Sequence, residues 1–488
     1  MTFNTSSYTI FPFRFMRFGS DVLIVNEVGE YIFISGRDFE RLRNYQLDPE
    51  EDLFLTLKSK HIVADTDLAL PVYLLATKYR TKKSFLMDFT ALHIFIVTLR
   101  CNQKCRYCQA DSEDESRLEF DMDFETAKKC VDLVFKSPSP TIKIEFQGGE
   151  PLLNFKIVKY IIQYAKKINR LHRKNLEFVI CTNLLGLNDE ILNYLAEHQI
   201  WVSTSLDGPK TLHDINRVTR KGTGTYDLVT KNIRLVQDRL GIEKISALMV
   251  TTRDNVHKLN DVVDEYIKQR FNSIFIRSIH PYGRASKEKL GYDTETFIKN
   301  YIKALDYIIR LNLEGIWFSE EYATIILKKI LTPFATTFVD LQSPAGTGIS
   351  CVVYNFNGDV FVSDEARMLS KMGDNRFLMG NVHKNKYHEI FNGKVIRETI
   401  ESSIVEMLPL CSECAFQIYC GADPVRNYAI YGDLIGHRPT SEFHQINYSI
   451  IRHLMELIRQ NDPDVMNVFW SWITKQSIEE IKGLKKRA

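Results

Sequence analysis

The sequence predicts a partial (β/α)6 barrel of the TIM type with a smaller unit at each end, and three observations carry that prediction. Between residues 91 and about 315, short apolar strand-like runs alternate with amphipathic helical segments. Before residue 85 strand-like runs precede helical ones, and after 315 the alternation stops. One group of three cysteines follows the first strand of the alternating region, and a second lies well beyond it. Alternation of this kind calls for parallel strands, right-handed crossovers and helices outside the sheet.

In the front unit, residues 1–85, "FRFMRFG", "DVLIVNEVG" and "EYIFIS" read as strands separated by turns. "GRDFERLRNYQ" and "DPEEDLFLTLKSKHIV" carry helical periodicity, each behind a Gly or Asp start signal. Strands followed by helices at this size resemble the winged-helix peptide clamps of enzymes that mature ribosomal peptides; a packing domain without a ligand is the alternative. In residues 86–315 the strands are "ALHIFIVTL", "TIKIEFQ", "NLEFVICTN", "WVSTSLDG", "KISALMVTT" and "SIFIRSI". Between them, "DFETAKKCVDLVFKS", "FKIVKYIIQYAKKINRLH", "DEILNYLAEH", "TYDLVTKNIRLVQDRL" and "NVHKLNDVVDEYIKQ" read as helices. Six units make a partial barrel rather than an eight-fold one, and in such folds the site collects at the C-terminal strand ends. Residues 316–455 hold a Gly-rich turn ("SPAGTG"), a hairpin ("CVVYNFNGDVFVS") and the second cysteine group; residues 456–488 form a helical, mixed-charge tail.

Charge is balanced, 63 Lys+Arg against 61 Asp+Glu, with no basic stripe for nucleic acid. The longest apolar run, "ALHIFIV", is too short to span a bilayer. The first residues, "MTFNTSSYTIFPFRFMRF", lack the pattern of a signal peptide, so a cytoplasmic location is expected. Nine unevenly spaced cysteines point to metal or redox chemistry rather than a disulfide framework.

The first group, "VTLRCNQKCRYCQA", places Cys101, Cys105 and Cys108 as C-x3-C-x2-C. Iron–sulfur cubanes are normally held by four cysteines, so three thiolates leave one iron open to another ligand. The alternative is zinc completed by a neighbour such as His93. The second strand ends in "EFQGGEPLLNF", where Gly148 and Gly149 allow close backbone approach to a ligand, Glu150 offers an acceptor for an ammonium group, and Pro151 follows.

Both motifs, in this order on six β/α units, resemble the radical S-adenosylmethionine (SAM) enzymes. The resemblance implies that Cys101, Cys105 and Cys108 hold a [4Fe-4S] cluster whose open iron takes the amino and carboxylate groups of S-adenosylmethionine. Glu150 would bond the same amino group, and Tyr107 matches an aromatic position that packs on adenine. One electron would then cleave the cofactor to methionine and a 5′-deoxyadenosyl radical, chemistry that the cofactor supplies and the protein aims. Ser205, Asp207, Thr182, Asn183 and Arg277, all at strand ends, are further candidates facing the site.

"CSECAFQIYC", with Cys411, Cys414 and Cys420, resembles the start of the SPASM extension, which carries auxiliary [4Fe-4S] clusters; a zinc knuckle is the alternative. The family pattern has further cysteines where this chain has Ser363 and Pro424, which leaves Cys351 without a cysteine partner. One auxiliary cluster is therefore expected, with His444 as its fourth ligand and Asp423 and His437 as competitors. Asp364 matches a proton-accepting Asp of sulfatase-maturing relatives, while Cys130 and Cys181 read as core cysteines.

"YRTKKSFL", "DLQSPAGTGIS", "SDEARML", "CGADP" and "GHRPTSEF", together with the two motifs, resemble the B-type component of His-Xaa-Ser system radical maturases over residues 10–460. That resemblance implies three partners: a precursor peptide with His-Xaa-Ser repeats, a second radical SAM maturase, and an electron donor such as flavodoxin or ferredoxin. Three other readings stay open: a maturing oxidase of the sulfatase type, a non-catalytic iron–sulfur scaffold, and a radical enzyme for a small metabolite.

Overall fold

Along "TIKIEFQG", Ile142, Ile144 and Phe146 are fully buried while Lys143, Glu145 and Gln147 keep partial access. Side chains alternate across a strand, so one face of the sheet packs under helices and the other lines an interior lumen. The computed structural model that shows this describes residues 8–65, 67–288 and 290–485. Residues 1–7, part of the stretch read for a targeting signal, lie outside the described residues.

The front unit is an antiparallel meander of β1 (Phe13–Phe18), β2 (Asp21–Asn26) and β3 (Tyr31–Ser35), followed by α1 (Gly36–Arg43) and α2 (Asp52–Ser59). Ser35 caps α1 by accepting from the Asp38 amide. One face of the meander buries Val22, Ile24 and Ile34 against Phe39, Leu42, Phe54 and Leu57. The other sends Phe18, Leu23 and Val25 into the main core of the protein. There Phe18 meets Phe416 at 6.3 Å, and the Tyr419 hydroxyl donates to the Gly29 carbonyl at 2.7 Å. The front unit is thus seated beside the second cysteine group. A helix over Ala69–Lys82 was not expected; it buries no residue and shows almost no amphipathic pattern to read.

The six parallel strands are β4 (Leu92–Thr98), β5 (Thr141–Gly148), β6 (Asn175–Cys181), β7 (Trp201–Ser205), β8 (Ile245–Val250) and β9 (Ile276–Arg277). The helices between them are α3 (Phe124–Val134), α4 (Phe155–His172), α5 (Asp189–Glu197), α6 (Tyr226–Leu240) and α7 (Leu259–Lys268). These follow the expected α/β alternation. The last strand departs from it in detail: Ser273–Ile274 pairs with Ser319–Glu320, and only Ile276–Arg277 joins β8. The buried Glu320 carboxylate accepts from the Ile276 amide at 3.1 Å and from the Tyr301 hydroxyl at 2.5 Å, which fixes the break.

The expected hairpin forms as β10 (Cys351–Tyr354) and β11 (Asp359–Phe361), with β12 (Leu378–Asn381) beside it. It does not stand apart. β10 pairs in parallel with β4, Cys351 beside Leu92, so the sheet runs β9-β8-β7-β6-β5-β4-β10-β11-β12. Among the described residues no helix is long and apolar enough to cross a membrane.

Candidate active site

The loops after β4 and β5 are welded together. The Gly149 amide donates to the Thr98 carbonyl at 2.9 Å and the Glu150 amide to the Arg100 carbonyl at 2.7 Å. A Cβ on Gly148, at φ +141°, would lie 1.9 Å from the Thr98 carbonyl oxygen; one on Gly149 would lie 2.2 Å from that of Arg100. Both glycines are therefore needed for close approach, and what they approach is the backbone leading into the cysteine loop. Pro151 opens the turn that follows, with Glu150 as its cap.

Glu150 is fully buried. Its Oε1 accepts from the Leu152 amide at 3.0 Å and the Thr182 hydroxyl at 2.6 Å, and its Oε2 accepts from the Asn183 amide at 2.7 Å. A carboxylate has about four lone-pair directions, so roughly one is left for a further donor. Burial raises its pKa to about 7 despite the three bonds. Asn183 completes the link: its Nδ2 donates to Asn102 Oδ1 at 2.8 Å and reaches Cys101 Sγ at 3.7 Å. Thr182 and Asn183 thus hold the carboxylate in place beside the first cysteine.

Tyr107 and Asp207 meet as well. The Tyr107 hydroxyl donates to Asp207 Oδ2 at 2.6 Å, and Arg217 Nε donates to the same oxygen at 3.1 Å. The guanidinium stands 5.2 Å from the centre of the Tyr107 ring. Asp207 Oδ1 is buried without a partner, an acceptor that suits a donor-rich ligand. Arg220 donates to the Cys101 carbonyl at 2.7 Å and Arg284 to that of Cys105 at 3.1 Å. Burial pushes the Cys101 and Cys105 thiols up, Cys105 to about 11, while Arg217 pulls the latter down. Metal binding needs thiolates, and these arginines supply offsetting positive charge. No motif flagged Arg217, Arg220 or Arg284, which lie more than a hundred residues from the loop they brace.

His93 does not complete this set. Its Nδ1 lies 3.2 Å from the Tyr354 hydroxyl and its Nε2 3.1 Å from the Thr90 carbonyl, so both nitrogens are engaged. Among the described residues no three His, Cys, Asp or Glu side chains converge as a single ion would require. A cubane spreads its thiolates over separate irons, and the loop's three cysteines, lone acceptors and cationic brace fit such a cluster with a ligand on its open iron.

Register carries a polar set across the lumen face: Cys181 beside Ser203, Ser205 beside Leu248, and Arg277 beside Val250. Cys181, expected in the core, points into this lumen, its Sγ 3.3 Å from Glu145 Oε1. Cys130 is fully buried on α3. Arg277 donates to Glu365 at 3.0 Å, and Asp364 accepts from Arg367 Nε at 2.7 Å in the first turn of α8 (Asp364–Lys371). Burial is the main cause that raises the Cys181 and Cys351 thiols; the Glu145 carboxylate near both and Glu365 near Cys351 add to it, and Asp364 adds less.

Cys411, Cys414, Cys420 and His444 line one cavity. Arg438 shares it: its Nε donates to Cys411 Sγ at 3.2 Å, its Nη2 to the Gly421 carbonyl at 3.4 Å, and its Nη1 is buried without a partner. Burial, and then Arg438, lower the His444 pKa, which favours the neutral imidazole that ligates. Asp423 faces a different cavity and caps α9 (Pro424–Tyr431), while the exposed His437 bonds Thr440 at 2.8 Å. The two missing cysteines have become helix starts. Ser363 caps α8 through the Ala366 amide at 3.2 Å, and Pro424 takes the first position of α9. Cys351 is buried on β10.

Comparison with known proteins agrees with this geometry. The radical SAM superfamily model matches residues 95–266. An uncharacterized protein of Methanocaldococcus jannaschii, MJ0907, is 37% identical over 148 residues, 29% of this chain; the chain spans about half of it, 49%. A cysteine-type anaerobic sulfatase-maturating enzyme of Clostridium novyi is 25% identical over 343 residues, 67% of this chain and 85% of that one. Among solved structures, native anSMEcpe, determined with bound AdoMet and with AdoMet plus a Cp18Cys peptide, superposes with a TM-score of 0.64 at 19% identity, covering 78% of this chain and 98% of that one. Residues 95–266 are a radical SAM domain. A domain of this kind takes a [4Fe-4S] cluster, which Cys101, Cys105 and Cys108 would hold here, and S-adenosylmethionine, which when bound supplies a 5′-deoxyadenosyl radical.

Proposed function

We propose that this protein matures a ribosomally made peptide by radical chemistry, with Cys101, Cys105 and Cys108 holding the cluster and Glu150 and Asp207 receiving the donors of S-adenosylmethionine. The observation that carries the reading is the chain Cys101–Asn183–Glu150, which sets a buried carboxylate with one open lone pair beside a three-cysteine loop. A peptide substrate is supported by likeness to a sulfatase-maturating enzyme and by the front unit seated against residues 412–419. The His-Xaa-Ser precursor, the second maturase, and a flavodoxin or ferredoxin donor belong to this reading through the sequence resemblance. So does one auxiliary cluster on Cys411, Cys414, Cys420 and His444.

Mass spectrometry of the precursor co-expressed with and without this protein tests the reading; an unchanged precursor mass with active enzyme sinks the peptide assignment. If residues 13–35 clamp a leader as an added strand, hydrogen exchange in that stretch slows when the precursor is added. Unchanged exchange there removes the clamp. Deleting the unit is a poor test, because Phe18, Leu23 and Val25 belong to the main core.

The sulfatase-type reading is favoured by the likeness to the Clostridium novyi sulfatase-maturating enzyme, over 67% of this chain, together with the sequence position of Asp364. A sulfatase-derived Cys or Ser peptide, oxidised in vitro, would decide for it.

A further inference from the structure

A second cavity opens where β9 meets the C-terminal extension, bounded by residues 275–278, His280, Phe338, Asp340, Asp423 and α10 (Glu442–Gln460). Three of its rings form a triangle: Phe275 to Tyr322 at 5.6 Å, Phe275 to Phe338 at 5.7 Å, and Tyr322 to Phe338 at 5.7 Å. None of the three residues is fully buried.

The charges around these rings do not cancel. Arg277 is paired with Glu365 at 3.0 Å and Arg426 with Glu442 at 2.6 Å. Asp340 and Asp423 have no ion pair among the described residues, and Asp340 accepts no hydrogen bond from them; Asp423 takes only the Arg426 amide at 2.9 Å. Burial, and then mutual repulsion, push the Asp340 carboxyl up; burial is also the main cause for Asp423. Two groups in the wall, each more than nine-tenths buried, carry unpartnered polar atoms: Nδ1 of His280 and Nε of Arg426. Nδ1 of the neutral His280 can accept from a donor that a ligand brings, whereas the Arg426 Nε–H is itself a donor and is left for water or a carbonyl oxygen.

The wall is tied to the chemistry. Gln109, directly after Cys108, donates to the His280 carbonyl at 3.3 Å, and the Arg284 amide donates to that of Cys108 at 2.9 Å. Whatever occupies the cavity therefore sits on the loop that flanks the first cysteine group.

We propose that this cavity is a substrate subsite for a cationic side chain (lysine, arginine or protonated histidine) held between the aromatic triangle and the carboxylates of Asp340 and Asp423. Aromatic faces and unpaired carboxylates attract the same ligand, a desolvated cation with an apolar stem. The proposal rests on the peptide-maturation reading and names the side chain that would anchor the peptide beside the site.

The test uses reconstituted full-length protein without S-adenosylmethionine and the N-acetyl amides of lysine, arginine, histidine, norleucine and glutamate, with binding read by ligand-observed NMR. At least one basic amide is expected to bind about tenfold or more tighter than the norleucine amide. Asp340→Asn should remove most of that preference. Phe338→Leu, which keeps an apolar wall, should lower it while leaving norleucine unchanged. Preferential binding of the norleucine or glutamate amide, no binding by any amide, or a preference untouched in both variants overturns the proposal. Since cofactor cleavage is not measured, this outcome is separate from the fate of the radical SAM reading.

Discussion

The two cysteine triads share a chemistry and differ in what surrounds them. Around Cys101, Cys105 and Cys108 the free groups are acceptors: one lone pair of Glu150 and the orphaned Oδ1 of Asp207. Of the arginines there, Arg220 and Arg284 grip backbone carbonyls and Arg217 the Asp207 carboxylate, and none of these bonds is to sulfur. Around Cys411, Cys414 and Cys420 the neighbours are an imidazole and a guanidinium, and Arg438 touches a thiol directly. The comparison teaches that the neighbours, more than the cysteine count, decide whether a three-thiol site stays open. Acceptors invite a ligand that brings its own donors, whereas His444 offers to close the shell.

The comparison breaks most easily on iron. Two cubanes mean about eight irons in the reconstituted protein, and replacing Cys101, Cys105 and Cys108 by Ala should leave about four. Twelve in the wild type would mean that the cap at Ser363 and the helix start at Pro424 do not prevent a third cluster.

Next in size is the open site's acceptor. Glu150→Ala should weaken S-adenosylmethionine binding by about 1.5–3 kcal/mol, the range for a hydrogen bond to a charged group. An unchanged dissociation constant would remove the role. The same residue predicts a pH dependence. The accepting form is the carboxylate, and with a pKa of about 7 it is lost as pH falls through that value. Affinity should therefore decline below pH 7, by at most about tenfold per unit, and Glu150→Gln should flatten the profile. A wild-type profile flat between pH 6 and 8 would contradict it.

The smallest effect is expected at the closed site. Arg438→Gln keeps a donor but removes the charge beside Cys411, so the auxiliary cluster should become harder to reduce. His444→Ala should alter its spectrum in the Cys101/Cys105/Cys108 Ala background. If neither variant moves the spectrum or the potential, the contrast between the two triads fails.

Much of this was legible in sequence. The strand runs from "ALHIFIVTL" to "KISALMVTT" lie where the parallel strands form, because β-branched runs bounded by turn residues report local structure directly. The juxtaposition of the cysteine loop with Glu150 followed from strand order, since adjacent β/α units put their C-terminal ends together. What escaped was non-local. The parallel pairing of Cys351 with Leu92 joins segments more than two hundred residues apart and leaves no local pattern. Arg217 and Arg438 are single cations whose roles depend on folding back over distant loops. Cys181 looked like a core residue because alternation gives a strand two faces, and sequence alone did not say which faced the lumen.

The central claim is that the first triad runs radical chemistry, and formation of 5′-deoxyadenosine measures it most directly. Anaerobically reconstituted protein, given a strong reductant and S-adenosylmethionine, should release 5′-deoxyadenosine and methionine, and the Cys101/Cys105/Cys108 triple Ala variant should release none. Equal release by the variant, or none by an iron-loaded wild type, would contradict it.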